Sequence, residues 1–251
     1  MAGKVAERAE ALVARWDAQA DAADGDSSGS IVVEIDDAAQ AVTMEVMHEA
    51  LFSEQLDVIA RDPAALALKH SFRQFLAGQQ NMLADFFKTY EWFATSAMKQ
   101  RETNQGHMDA HFDERADARR ATIAAAAAAA AAAPGGAAAA DAVDVPQDLL
   151  TALLSARDPE TGAALSRDEV NLTLREMMVA GQDTTAATVA CLLCMLAAHP
   201  EALRVVVAEV DAVVAGAGGR LPATMAEVAQ LTVRPGTCRS STPRHRMPYE
   251  S

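Results

Sequence analysis

Aromatic residues and cysteines are scarce in this sequence. Of its 251 residues, 4 % are Phe, Trp or Tyr and three are cysteines. The cysteines lack the regular spacing of a disulfide framework, which excludes a small disulfide-held scaffold and fits a reducing compartment or buried thiols. Hydrophobic residues nevertheless make up 51 % of the chain. One large domain or two small ones can therefore form a core.

Positive charge is also in deficit. The chain has 21 Lys and Arg against 35 Asp and Glu, which gives a net charge of −14. Proteins that bind nucleic acid usually carry basic patches, so we expect no nucleic-acid partner. An acidic surface confers solubility and does not by itself identify a partner.

The first twenty residues show no targeting pattern. They contain no unbroken apolar segment, which excludes a secretory signal, and Glu7, Glu10 and Asp17 argue against a transit peptide. Apolar residues recur at helical spacing from Val5 to Trp16, which predicts an amphipathic helix. The sequence therefore does not indicate in which cellular compartment the protein lies.

The next segments predict further helices separated by loops. Gly, Ser and Asp indicate a loop at Asp24–Ser30, and Ile31–Ile35 is either a short strand or an extended entry to a helix. A helix is expected from Asp36, and another from Pro63, since proline suits a first helical turn. The aromatic group between Phe86 and Phe93 is interpreted as core and not as a cofactor platform.

Low-complexity sequence follows. Ala124–Ala133 is an unbroken alanine run that can extend the preceding helix. We interpret Ala121–Val145 as an alanine-rich insertion within a domain that covers residues 1–230. Residues 231–251 are rich in Arg, His and Pro and have little apolar pattern, which predicts a disordered tail.

Two pairs of metal-binding residue types have helical spacing. His107 and His111 are four residues apart, but HMDAHFDERADARR has the composition of a solvated charged face, and no third ligand is evident. We therefore predict no metal site there. Cys191 and Cys194 lie in an apolar run and are expected to be packed core thiols.

A long helix is predicted in the second half of the chain. Ser166 and Glu169 form a capping box, and no proline intervenes until Pro200. Roughly thirty helical residues would span about 50 Å. Met177–Ala198 is apolar all round, which is typical of a buried domain centre or of a membrane span. The polar block Gly181–Thr185 contains an acid that would be costly in lipid, so a buried centre is expected.

The polar block Gly181–Thr185 is a candidate functional site on this helix. Glycine costs about 1 kcal/mol relative to alanine in a helix interior, so Gly181 predicts that another group lies close against the backbone. Thr184 can donate a hydrogen bond to the carbonyl of Ala180, and both share a face with Met177. Asp183 points to a different side of the helix, because consecutive residues lie about 100° apart around it. Two interpretations stay open: an alcohol and an acid that deliver protons, or a buried acid satisfied by its neighbours at a kink.

These residues carry a resemblance to a known family. Ala180–Thr185 is similar to the Ala/Gly-Gly-x-Asp/Glu-Thr-Thr/Ser motif in the long distal helix of the cytochrome P-450 family of haem-thiolate monooxygenases. The flanks also resemble it: DLLTALLSARDPETGAALSRDEV before the helix and HPEALRVVVAEVDAVV after it. The convincing match covers about Gln147 to Val214. A looser one includes VTMEVMHEALFS, where Phe52-Ser53 stands in place of the usual Phe-Gly.

The resemblance implies a mainly α structure, a fragment of the helical P-450 fold with a long central buried helix. It implies haem as the cofactor, with a cysteine thiolate on the iron that favours O–O cleavage. Met177, Ala180 and Gly181 would line the haem, Thr184 would hydrogen-bond the oxygen, and Asp183 would help bring in protons. The implied partners are a small organic substrate, O2 and a redox partner, either a reductase or a ferredoxin.

The sequence also departs from the family's pattern. Glu201 and Arg204 have the Glu-x-x-Arg spacing but follow the motif helix directly, so they are expected to be a surface pair. Cys238 lies in RPGTCRSS, without the phenylalanine and glycines of the family's cysteine loop. We therefore expect no cysteine haem ligand in this chain, truncation at both ends, and no activity of the chain alone. The alternative is a haem-free helical fragment with an interaction role or none.

Overall fold

The chain is almost entirely helical where its structure, a computed structural model, describes it: residues 2–23, 31–84, 95–132 and 144–231. The helices in these ranges are α1 (Ala2–Ala23), α2 (Ile35–Phe52), α3 (Pro63–Ala84), α4 (Ser96–Ala132), α5 (Leu149–Ser155), α6 (Arg167–Ala198), α7 (Pro200–Gly216) and α8 (Met225–Val228). The predicted mainly α class is confirmed.

Extended backbone is limited in the described residues. Residues 31–34 precede α2 without forming a strand, so the extended entry is the correct alternative. One antiparallel bridge joins Arg157 to Ala164 around a turn at residues 158–162. Within this turn Asp158 accepts hydrogen bonds from the backbone of Glu160 and Thr161 at 3.0 and 2.7 Å. The predicted loop at residues 24–30 and the aromatic group at 86–93 lie outside the described residues.

The predicted helix starts are confirmed by their hydrogen bonds. α3 begins at Pro63, where the Asp62 carboxylate accepts from the backbone N–H of Ala65 at 2.9 Å. Before α6, the N–H of Glu169 donates to Ser166 Oγ at 3.3 Å, and the N–H of Ser166 donates to Glu169 Oε2 at 2.7 Å. These contacts form the capping box and fix where the long helix begins.

The described chain divides into two compact bodies. One holds residues 3–190, and the other begins at Cys191 and contains α7 and α8. The first body has a well-defined hydrophobic core. Its largest fully buried apolar side chains are Phe52, Phe72, Phe112, Met44, Met108, Leu150, Leu174 and Met178.

α4 runs through that core, which corrects one prediction. Met108 and Phe112 are completely buried and Ala116 is 2 % exposed, so HMDAHFDERADARR is not a solvated charged face. Apolar residues at four-residue spacing form a narrow stripe that packs inward, while most charged residues occupy the remaining surface. The helix continues to Ala132, which confirms that the alanine run extends it.

α6 forms as one continuous helix, but the described residues bury only its first part. Its buried residues end at Ala186, whereas Leu192 and Met195 are more than half exposed. Cys191 and Cys194 are exposed too, so the prediction of packed core thiols is wrong. The apolar run does predict a helix, but nothing in the described part of the chain covers this end of it. α6 is also long and apolar enough to cross a membrane, but buried core helices of soluble proteins meet the same two criteria.

Candidate functional site

The first part of α6 is held in the core by a stripe of side chains four residues apart. Val170, Leu174, Met178, Gln182 and Ala186 are all buried. Residues at this spacing share one face of a helix. The stripe therefore fixes which side of α6 faces the core and which side is left outside.

A side chain of α2, Met47, lies against the backbone of α6 at Gly181. A Cβ added at Gly181 would lie 2.5 Å from both Sδ and Cε of Met47. Real Cβ atoms do not come so close to another heavy atom, so any larger residue requires Met47 to move. This confirms that a neighbouring group lies against the backbone at the glycine.

Thr184 makes the predicted hydrogen bond. Its hydroxyl donates to the backbone carbonyl of Ala180 at 2.7 Å, and one turn later the Thr188 hydroxyl donates to the carbonyl of Thr184 at 2.8 Å. The helix continues through both bonds without a break. The polar block therefore does not interrupt α6.

Met177, Ala180 and Thr184 lie together on the outward face of the helix. All three are exposed, and Met177 retains 47 % of its surface. Asp183 is half-buried and lies about 100° around the helix from Thr184. Among the residues that the structure describes, no hydrogen bond or ion pair reaches its carboxylate. The Met177–Thr184 face thus carries no formal charge, and the acid lies beside it.

The Met177–Thr184 face fits one wall of a haem site. Ala180 is small and exposed, so a flat group can approach the helix backbone there, and Met177 and Thr184 supply an apolar and a hydroxyl contact at its edges. At Gly181, which was predicted to line the haem, the side chain of Met47 lies against the backbone. No group of three His, Cys, Asp or Glu in the described residues could hold a metal ion. α6 therefore offers a wall and a hydroxyl to a haem group. Cys238 lies outside the described residues.

A second polar cluster was missed by the sequence analysis. Nε2 of His48 on α2 lies 3.0 Å from Nε2 of His111 on α4. His48 Nδ1 lies 2.9 Å from the carbonyl of Glu54, which only accepts, so His48 Nδ1 carries the proton and its Nε2 accepts from His111. Arg115 donates to the remaining nitrogen of His111 at 3.1 Å. The two rings and the guanidinium form a directed chain of hydrogen bonds.

Both imidazoles of this pair are neutral. Burial lowers the pKa of His48 to about 4, and burial with the charge of Arg115 lowers that of His111 to about 3. His48 is four residues from both Met44 and Phe52, so its place in the apolar stripe of α2 was the available signal. The partner on α4 is a tertiary contact that sequence spacing does not reveal.

The surface pair predicted after the motif is confirmed. Arg204 and Glu201 form an ion pair at 2.7 Å, with their side chains 72 % and 84 % exposed. Such a pair contributes only a few tenths of a kcal/mol, roughly 0.3–0.5, and it has no contact that suggests a catalytic part.

Solved structures define the class of fold. The haem domain of cytochrome P450DA superposes with a TM-score of 0.60 at 24 % identity, over 92 % of this chain and 42 % of that one. A second solved cytochrome P450, CYP102L1, gives a TM-score of 0.55 at 22 % identity, over 83 % of this chain and 40 % of that one. The helices therefore adopt part of the cytochrome P450 fold.

The sequence profile described as Cytochrome P450 matches residues 1–237. The chain belongs to the cytochrome P450 family. Membership implies haem as the cofactor, and a substrate, O2 and a redox partner in general terms.

Curated relatives match a shorter part of the chain. Cyclooctat-9-en-7-ol 5-monooxygenase of Streptomyces melanosporofaciens is 45 % identical over 69 residues, which is 28 % of this chain and 15 % of that protein. A bifunctional cytochrome P450/NADPH–P450 reductase of Gibberella moniliformis is 42 % identical over 67 residues, 27 % of this chain and 6 % of that protein. The chain thus spans only a small share of the length of these relatives.

Proposed function

We propose that the protein is a haem-dependent monooxygenase that inserts one atom of O2 into an organic substrate. The observation that carries the proposal is the Thr184 hydroxyl, which lies on the exposed face of α6, one turn after Ala180, to which it is bonded. In a member of this family, that face borders the side of the haem where oxygen is handled. When haem is bound with a thiolate ligand, it supplies the chemistry of O–O cleavage.

Thr184 has the hydrogen-bonding capacity that this position needs. A hydroxyl has one donor and two acceptor lone pairs and can rotate between partners. Thr184 Oγ1 can keep its proton on the carbonyl of Ala180 while it accepts from the open side, or turn the proton outward. It can therefore hold or pass on a proton at one fixed point beside the wall formed by Met177 and Ala180.

Asp183 is suited to supply that proton. Its carboxylate is half-buried and has no hydrogen bond or ion pair among the described residues, so it keeps its capacity to bind a proton or a water. It lies on a different side of the helix from Thr184, so it does not occupy the wall. We assign it to collecting protons from solvent and passing them, through water, towards the hydroxyl.

The electrons are proposed to come from a reductase. Two relatives, from Gibberella moniliformis and Fusarium oxysporum, carry the name bifunctional cytochrome P450/NADPH–P450 reductase. A separate or fused reductase of that type is the redox partner we infer. The substrate is a small organic molecule whose class the described residues do not specify.

A second candidate rests on a different observation. Leu192, Leu193 and Met195 are exposed apolar residues, and a cluster of this kind can serve as an interaction surface. A haem-free helical protein that binds a partner through it is the alternative function.

The two candidates are separated by carbon monoxide binding. The whole protein as the organism makes it is purified with haem, reduced, and exposed to carbon monoxide. The monooxygenase proposal predicts a stable, strongly red-shifted Soret band characteristic of thiolate ligation. A protein that takes up no haem, or whose band shows no such shift, contradicts the proposal and favours the interaction role.

A further inference from the structure

A groove of about 390 Å³ lies away from the α6 face, between α1 and residues 57–61. These residues belong to the linker between α2 and α3, and none of the residues that line the groove is on α6. The volume is within the range of small-molecule sites. Three arginines contribute to the lining, Arg8, Arg15 and Arg61.

Arg8 and Glu45 build one wall of the groove. Arg8 is 7 % exposed and pairs with Glu45, which is 3 % exposed, at 3.5 Å. The second oxygen of Glu45 accepts from the backbone N–H of Ile59 at 2.6 Å. Both charges are therefore engaged, and together they tie the linker to α1 and α2.

Arg15 and Arg61 have donors to spare. One terminal nitrogen of Arg15 donates to the carbonyl of Ile59 at 3.2 Å, while its Nε has no partner and its other terminal nitrogen makes no hydrogen bond within the described residues. Arg61 is exposed and makes neither a hydrogen bond nor an ion pair through its side chain there. Two guanidinium groups at one groove thus have unused N–H donors.

The linker holds Arg61 in a conformation that costs energy. Arg61 has φ 64° and Asp57 has φ 57°, a left-handed region that residues with a side chain rarely adopt. Such residues persist only when the surrounding contacts fix them, and they concentrate at ligand sites. Here the Glu45–Ile59 and Arg15–Ile59 bonds supply the fixing contacts between the two strained positions.

The charge of the lining favours an anion. Three arginines are opposed by two acids, Glu45 and Asp57, and Glu45 is already paired with Arg8. The rest of the lining includes the small apolar residues Ala11 and Ala60. A guanidinium fork matches a carboxylate with two parallel hydrogen bonds.

We propose that this groove binds a small organic carboxylate. Its head accepts hydrogen bonds from Arg15 and Arg61, and its apolar body lies along Ala11 and Ala60. The site is separate from the oxygen-handling face assigned to α6.

The proposal is tested by fluorine NMR with 4-fluorobenzoate as the probe, titrated into the whole protein purified with haem. Saturable binding is expected, and 4-fluorobenzyl alcohol, the neutral analogue, should bind at least about tenfold more weakly, because charge-assisted hydrogen bonds are lost. Arg61→Gln and Arg15→Gln should each weaken 4-fluorobenzoate at least about tenfold. Arg61 is exposed, so its replacement leaves the fold intact even if Arg15→Gln does not.

Two control variants locate the binding. Arg73→Gln removes an exposed arginine of α3 outside the groove and should leave the affinity unchanged. Thr184→Ala alters the α6 face and should also leave it unchanged, which distinguishes this site from the proposed oxygen site. Absence of saturable binding, equal binding of the alcohol, an unaltered affinity in Arg61→Gln, or an equal loss in Thr184→Ala would each overturn the proposal.

Discussion

Single residues divide the polar block of α6 between two sides of the helix. Gly181 meets Met47 at the core side, and Thr184 bonds to Ala180 at the open side. Glycine lowers the helix propensity by about 1 kcal/mol, an amount that close packing of the two helices offsets. The block thus places its packing contact and the proposed catalytic hydroxyl at different positions around one helix.

Gly181→Val should destabilise the protein. The new Cβ would lie 2.5 Å from the Met47 thioether, so the end of this partly buried side chain must shift. Because the end of a methionine side chain is flexible, the overpacking should cost about 1 kcal/mol, the low end of the usual range. The measurement is the shift in the urea unfolding midpoint.

Gly106→Val on α4 is the matched control for this prediction. A Cβ at Gly106 meets nothing within 4 Å. Valine has a higher helix propensity than glycine, so this variant should be unchanged or more stable by a few tenths of a kcal/mol, roughly 0.3. Equal unfolding midpoints for the two variants would show that the contact with Met47 does not require glycine at position 181.

The local chemistry of the block could be predicted from sequence, but its tertiary contact could not. The bond from Thr184 to Ala180 is set by helix geometry four residues apart, so spacing alone predicts it. Gly181 predicts that some group approaches the backbone. That the group is Met47 depends on how α2 crosses α6, more than 130 positions apart in the chain, and no periodicity encodes this.

At the scale of elements, Arg119 joins three helices. From α4 it donates to both carboxylate oxygens of Asp148 at 2.7 Å, to the hydroxyl of Thr151 at 2.6 Å, and to the carbonyl of Phe52 at 2.8 Å. Burial raises the pKa of Asp148, but the hydrogen bonds from Arg119, Thr151 and Ser53 and the charge of Arg119 together outweigh burial and lower that pKa. The end of α2 and the start of α5 are thus held to α4 by one guanidinium.

Arg119→Lys should destabilise the protein by roughly 3 kcal/mol. A single ammonium nitrogen cannot replace the two terminal nitrogens that reach Asp148 and the carbonyl of Phe52, so buried acceptors are left unpaired. Arg120→Lys is the control, since Arg120 pairs with Asp117 at 2.8 Å on the surface. It should change stability by less than about 0.5 kcal/mol. Thermal unfolding of both variants checks this, and similar losses would argue against the proposed junction.

The pair His48 and His111 links α2 and α4, and it should make the stability of the protein sensitive to acid. Folded-state pKa values of about 4 and about 3 lie below the usual 6.5 of an unfolded histidine. The unfolded chain therefore binds protons first on acidification, so stability is complete above about pH 6.5 and falls as the pH drops towards 4. Each unit of pKa depression corresponds to about 1.4 kcal/mol at most.

His111→Gln removes one of the two titrating groups and keeps a donor for His48. Its unfolding free energy should depend less steeply on pH between about 6.5 and 4.5 than that of the unaltered protein. His70→Gln replaces an exposed histidine of α3 and should keep the original slope. Urea unfolding measured across this pH range gives the slope for each protein. The same slope in all three proteins would contradict the low pKa assigned to His111.

The helices α4 and α6 show where a sequence pattern is insufficient. An apolar run predicts that burying the helix is favourable, but the neighbouring segments determine whether the helix is buried. The stretch HMDAHFDERADARR of α4 is expected from its many charged residues to be a solvated face, although Met108, Phe112 and Ala116 form a buried stripe. α6 was assigned to the centre throughout, although the described residues cover it only as far as Ala186.

At the scale of the whole molecule, the mainly α fold followed from one motif in its context. Helix caps and prolines placed the elements well because they act locally. The capping box at Ser166 and Glu169 and the proline at position 200 mark the two ends of α6 as predicted. The matches to solved cytochrome P450 structures then extend the likeness from the motif helix to 92 % of this chain.

The central claim is that the Thr184 hydroxyl directs protons during oxygen activation. Its most direct test is the ratio of product formed to hydrogen peroxide released per reduced cofactor consumed, measured in the whole haem-loaded protein with its reductase. Thr184→Ala should keep consuming cofactor while product falls and peroxide rises, because positioned proton transfer typically contributes about 10²–10⁴-fold.

Thr188→Ala provides the matched comparison, since its hydroxyl makes the same kind of backbone bond one turn further along α6, at 2.8 Å. On folded protein with normal haem content, the account predicts an altered ratio in Thr184→Ala and an unchanged ratio in Thr188→Ala. An unchanged ratio in Thr184→Ala would contradict the account and leave that hydroxyl a structural part of the helix.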